Sequence, residues 1–87
     1  MPALPTGWTL KDKSLVYTFK FQSFASAIAF MVEVSFFCEK MNHHPEWKNM
    51  YDKVSVVLTT HDADGVTDKD HDLAAHMNTV FKKCAHT

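Results

Sequence analysis

With 87 residues, the chain has room for one domain and a modest hydrophobic core. Its 46% apolar and 22% charged composition excludes a disordered or low-complexity polypeptide. A formal net charge of −1, nine basic residues that are all Lys, and only two Gly argue against phosphate-driven nucleic-acid binding and against a Gly-rich phosphate cradle.

Residues 1–6, with Pro2 and Pro5, read as an extended lead-in. Residues 7–10 read as a short strand closed by the turn Lys11-Asp12-Lys13. Leu15, Tyr17, Phe19 and Phe21 then alternate with Val16, Thr18 and Lys20, the period of a half-buried strand, and the two strands form a hairpin. Ser23 is a good N-cap for a helix over 24–40. Phe24, Ala27, Ile28, Met31, Val34 and Cys38 recur there at helical spacing, while Phe30, Phe37 and Met41 lie on another side. A chain this short cannot cover a helix that is apolar on two sides, so the second side is expected to meet another subunit.

Pro45 ends the helical region, because the residue before proline avoids the helical conformation. Residues 47–51 read as a strand, Asp52-Lys53 as a turn, and the β-branched run 54–60 as the clearest strand in the chain. Val54, Val56 and Leu58 face the core in that reading, with His61 at the strand end. Asp62-Ala63-Asp64-Gly65 is a loop, and Thr67-Asp68-Lys69-Asp70 has the form of a capping box with Asp in the Glu position. Leu73, Met77, Val80, Phe81 and Cys84 stripe the last helix. The expected fold is α+β in the order ββαββα: a four-stranded antiparallel sheet with helices on one face, one domain over 1–87.

Cys38 and Cys84 fall among apolar helical neighbours and read as two reduced core thiols. The longest unbroken apolar run, 27–32, is far too short to cross a bilayer, and charges at Lys11, Asp12, Lys13 and Lys20 leave no signal-peptide core. A cytoplasmic location is expected, with the nucleus as the alternative.

The densest polar feature is Asn42-His43-His44-Pro45, at the helix exit and followed by Trp47. With His61 it offers three imidazoles, and imidazole as a class titrates near neutral pH, which suits proton transfer. Two other readings stand beside this one. The three His are unrelated surface residues, or they bind a metal with Glu39 or Asp70 completing the set. Adjacent His residues lack the i, i+4 spacing of a helical metal pair, and no zinc motif is present. Asp70 has a structural role ready as the end of the capping box, and Glu39 as an exposed helix residue. His71 and His76 read as polar-side residues of the last helix and His86 as part of a fraying end. No Ser or Cys nucleophile motif appears.

The run Glu39-Lys40-Met41-Asn42-His43-His44-Pro45-Glu46-Trp47, followed by Tyr51, Thr59-Thr60-His61 and Asp70, resembles the pterin-4a-carbinolamine dehydratase family, over residues 7–81. The resemblance implies dehydration of 4a-hydroxytetrahydropterin (4a-hydroxytetrahydrobiopterin) to quinonoid dihydropterin and water, in tetrahydrobiopterin recycling, with no metal or other cofactor. It implies that His43, His44 and His61 are acid–base and substrate-orienting groups and that Asn42, Thr59 and Thr60 help line the pterin site. Glu39, Trp47 and Asp70 are supporting candidates, Trp47 as a flat wall for the heterocycle. Which imidazole is acid and which is base stays open. The family often has Asp where this chain has Asn42, a swap that removes a charge beside His43.

Animal members also serve as dimerisation cofactors of a homeodomain transcription factor and usually carry an extra N-terminal helical segment; six residues precede Gly7 here, so that segment is expected to be missing or very short. The resemblance also implies a homo-oligomer, dimer or tetramer, in line with the helix over 24–40 being apolar on two sides. An aromatic amino acid hydroxylase or a transcription factor is a candidate partner, and no direct contact with nucleic acid or membrane is expected. The alternative function is that of a protein-binding coactivator acting through the apolar helix 24–40.

Overall fold

In a computed structural model that describes residues 4–84, Asp12 and Lys13 take φ of 50° and 66°, the left-handed pair that a two-residue type I′ hairpin needs. They join β1 (Thr9–Lys11) to β2 (Ser14–Lys20), with Lys11 opposite Ser14. The expected strand over 7–10 is thus shifted. Trp8 precedes it, buried, with its indole N–H donating to Asn78 Oδ1 at 3.0 Å. A buried indole needs such an acceptor, and the strand ladder does not supply one. Part of the expected lead-in and all of the expected fraying end, His86 included, lie outside the described residues.

Ser23, in extended conformation, caps α1 (Phe24–Met41) by accepting from the Ser26 N–H at 3.1 Å. Asn42 ends the helix with φ 52° and ψ 47°, its N–H reaching Glu39 O while the His43 N–H reaches Cys38 O. This paired closure is a Schellman motif, and Asn is one of the few residues other than Gly that takes the left-handed position at low cost. β3 (Glu46–Met50) and β4 (Lys53–Leu58) follow, joined by a turn with Tyr51 at φ 54°. β3 starts and ends one residue earlier than the sequence suggested, because the turn takes Tyr51, and β4 is one residue shorter, because the chain leaves the sheet after Leu58. A 3₁₀ turn, His61–Ala63, precedes α2 (Asp68–Cys84).

The strands form one antiparallel sheet in the order β1-β2-β4-β3, and the whole is α+β with the element order ββαββα. Leu15 pairs with Leu58, Tyr17 with Val56 and Phe19 with Val54 on the face that the helices cover. Phe19 is fully buried, its ring centroid 4.9 Å from Phe30 and 5.0 Å from Phe81, so one aromatic side chain ties β2 to both helices. Val34, Leu73, Ala74 and Met77 complete the centre.

The two apolar sides of α1 are not the ones expected. Phe30 is fully buried, and Phe37 and Met41 pack half-buried against the core. The open side carries Phe24, Ile28, Val32 and Phe36, the last 71% exposed. Residues four apart drift only slowly around a helix of 3.6 residues per turn, so these four form one stripe opposite the Ala27, Phe30 and Val34 side.

Candidate functional site

The cap of α1 and the exit from β4 meet at one end of the sheet. Asn42, His43 and His44 come from the first, Thr59, Thr60, His61 and Asp62 from the second, and Lys69 from the start of α2. Together they line an open cleft of about 340 Å³, within the range typical of small-molecule sites. Adjacent side chains diverge on a regular helix. The left-handed backbone at Asn42 is the irregularity that lets both His43 and His44 border the same cleft. All three imidazoles singled out in the sequence are therefore together, with Asn42, Thr59 and Thr60.

The imidazoles differ in their surroundings. His43 is held deepest: its side chain is 10% exposed, and its Nε2 lies 2.6 Å from Oδ1 of Asp70, which is fully buried. His44 is open to solvent, with Nε2 4.0 Å from the exposed Glu39 carboxylate. His61 is exposed on the 3₁₀ turn.

Asp70 serves two structures at once. Its Oδ2 accepts the Thr67 backbone N–H at 2.9 Å, the return bond of the capping box, while Thr67 Oγ1 accepts from the Lys69 N–H at 3.3 Å. The same Oδ2 accepts the Thr60 hydroxyl at 2.8 Å. Two other donors already converge on this buried carboxylate, which can only accept, so Nε2 of His43 is the donor in its bond to Oδ1. Thr59 donates its hydroxyl to Lys13 O at 3.0 Å, which ties the cleft wall to the first hairpin turn. Neither threonine thus has a hydroxyl proton free for a ligand, although both keep lone pairs.

Trp47 and Glu39 are not part of the lining. Trp47 pairs with Val56 and packs against the core, on the helix-covered face of the sheet. Asp62 and Lys69 do line the cleft and were passed over in the sequence. Their signals were simple adjacency to His61 and Asp70. Among the described residues no group of three His, Cys, Asp or Glu side chains is arranged to hold a metal ion.

His76, expected on the polar side of α2, instead stacks on Phe37 of α1, and burial lowers its pKa. His71 is half-buried with Nε2 shielded and unpartnered among the described residues. Cys38 is buried and Cys84 partly so, and burial pushes the pKa of each thiol up. No described helix is long and apolar enough to cross a membrane.

The family model for pterin 4 alpha carbinolamine dehydratase matches residues 1–80. A Rhizobium meliloti (strain 1021) protein is 53% identical over 74 residues, covering 83% of this chain and 71% of its own length. A Prochlorococcus marinus (strain AS9601) protein is 47% identical over 75 residues, covering 86% and 78%. Both carry pterin-4-alpha-carbinolamine dehydratase as a provisional name.

Among solved structures, a transcriptional coactivator/pterin dehydratase from Brucella melitensis superposes with a TM-score of 0.85 at 40% identity, covering 87% of this chain and 83% of that one. A pterin dehydratase-like protein identified as a RuBisCO assembly factor in the alpha-carboxysome shares the fold, with a TM-score of 0.71 at 20% identity and coverage of 85% and 86%. The chain belongs to the pterin 4 alpha carbinolamine dehydratase family.

Proposed function

We propose that this cleft dehydrates 4a-hydroxytetrahydropterin, with His43, His44 and His61 as its acid–base groups. The observation that carries the reading is the convergence of the three imidazoles on one cleft, the innermost anchored to a buried carboxylate. In the reaction the C4a–O bond breaks and the hydroxyl leaves as water after taking one proton. The N5–H bond gives up its proton to a base, and its electrons form the C4a=N5 double bond of the quinonoid product. One proton is delivered and one removed, so the enzyme returns to its starting state without a redox partner.

His43, with its proton on Nε2 toward Asp70, offers Nδ1 as the acceptor for the N5 proton. His44 and His61, open to solvent, exchange protons with water and supply the one for the leaving hydroxyl. Asn42, Thr59 and Thr60 border the bound heterocycle. Tetrahydrobiopterin recycling beside an aromatic amino acid hydroxylase, in the cytoplasm, is the setting this reading implies.

The open stripe Phe24, Ile28, Val32 and Phe36 supports a second role for α1. We assign it to self-association, as a dimer or tetramer; a transcription-factor partner docking there, as in a coactivator, would compete for the same residues.

Stopped-flow measurement with chemically generated 4a-hydroxytetrahydropterin tests the enzymatic reading. The wild-type chain is expected to raise the rate of quinonoid product formation well above the spontaneous one. Single replacements His43→Ala, His44→Ala and His61→Ala are each expected to cost on the order of 10²-fold. A wild-type rate equal to the spontaneous one would end the proposal.

A further inference from the structure

We propose that Thr60 and Thr67 are positioning residues for His43: their hydroxyls form a one-way hydrogen-bond chain that acts through Asp70 to hold the imidazole in its Nε2–H tautomer. The proposal rests on the dehydratase reading only for its kinetic consequence. The tautomer itself can be observed without any substrate.

The direction of the chain follows from counting protons. The Thr60 hydroxyl has one, and it is donated to Asp70 Oδ2 at 2.8 Å, since a carboxylate cannot donate. The contact of 2.8 Å between Thr60 Oγ1 and Thr67 Oγ1 must then run from Thr67 to Thr60. Thr67 Oγ1 in turn accepts from the Lys69 N–H. Each hydroxyl therefore accepts one bond and donates one, and the chain ends on Asp70, whose other oxygen receives His43 Nε2. A hydroxyl that accepts a bond becomes a better donor, so the chain strengthens the hold on Oδ2 beyond what the Thr67 N–H provides alone.

Thr60 also fastens the loop that carries His61. Its N–H donates to Gly65 O at 2.9 Å, and its carbonyl accepts from the Ala63 and Gly65 N–H groups at 3.1 and 3.3 Å. One residue thus fixes both the 3₁₀ turn bearing His61 and the carboxylate that orients His43.

Nitrogen-15 NMR of the His43 ring tests the chain in three steps. The wild type should show the proton on Nε2. Thr60→Val, which keeps shape and β-branching but removes the hydroxyl, should give a mixed tautomer population and lower kcat by about 10-fold, with KM within about twofold. Thr60→Ser should restore both. A wild-type proton on Nδ1 overturns the proposal, whatever the activity. So does a folded Thr60→Val protein with an unchanged tautomer and wild-type kcat. Should Thr60→Val fail to fold, Thr67→Ser and Thr67→Val carry the same contrast one bond further out. An inactive wild type with the Nε2–H tautomer would leave the chain standing and remove the dehydratase reading.

Discussion

His76 lies face to face with Phe37, ring centroids 3.9 Å apart and planes within 13°. Burial is the largest influence on its pKa and lowers it from the ordinary 6.5; Lys83 pushes the same way and Glu33 opposes. The unfolded chain therefore takes up a proton at this residue before the folded one does. At this residue the unfolded state binds more of the proton as pH falls below 6.5, so its contribution lowers stability toward acid pH. Urea unfolding of wild type and His76→Phe from about pH 7 to 5 should show the wild type losing more stability over that range. Parallel curves would contradict this.

Asp70 shows how far single residues could be read in the sequence. Its place at the end of a capping box follows from spacing, and the cap is there. Its bond to His43, 27 positions away, follows from no local pattern. Only the metal reading and the resemblance brought those two residues into one list. Trp47 failed the other way, because an aromatic residue near the His pair looks like a wall until the strand pairing turns it toward the core.

At the scale of elements, β2 and β4 were readable because Leu15, Phe19, Val54, Val56 and Leu58 keep the period of two that one buried face imposes. α1 was readable as a helix but not in its orientation. Periodicity reports an apolar side and does not say which of two such sides meets the sheet. The distinction sets up a paired test by light scattering and circular dichroism. Phe36→Asp should fold and shift the assembly toward smaller species. Phe30→Asp should fail to fold, since losing a buried ring costs roughly 3–5 kcal/mol before the buried charge is counted. A folded Phe30→Asp protein would overturn the orientation of α1, and an unchanged assembly in Phe36→Asp would remove the stripe from the interface.

For the molecule as a whole, the sheet matters to the cleft by where it stops. The chain leaves β4 after Leu58, α1 closes at Asn42, and the first turn of α2 brings Asp70 under both. The order of elements was visible in the sequence; the meeting of three element ends was not, because it depends on strand order and helix packing. Since the proposed chemistry consists of two proton transfers, turnover should be unchanged after exhaustive chelation. Loss of activity restored by Zn²⁺ would put the metal reading first. The most direct measurement of the central claim is the dehydration rate of the double variant His44→Ala/His61→Ala, with His71→Ala as the control. The account predicts a natively folded double variant, by circular dichroism, whose rate falls nearly to the spontaneous one while the control keeps wild-type turnover. A folded double variant that retains full activity, or a control that loses as much, would contradict it.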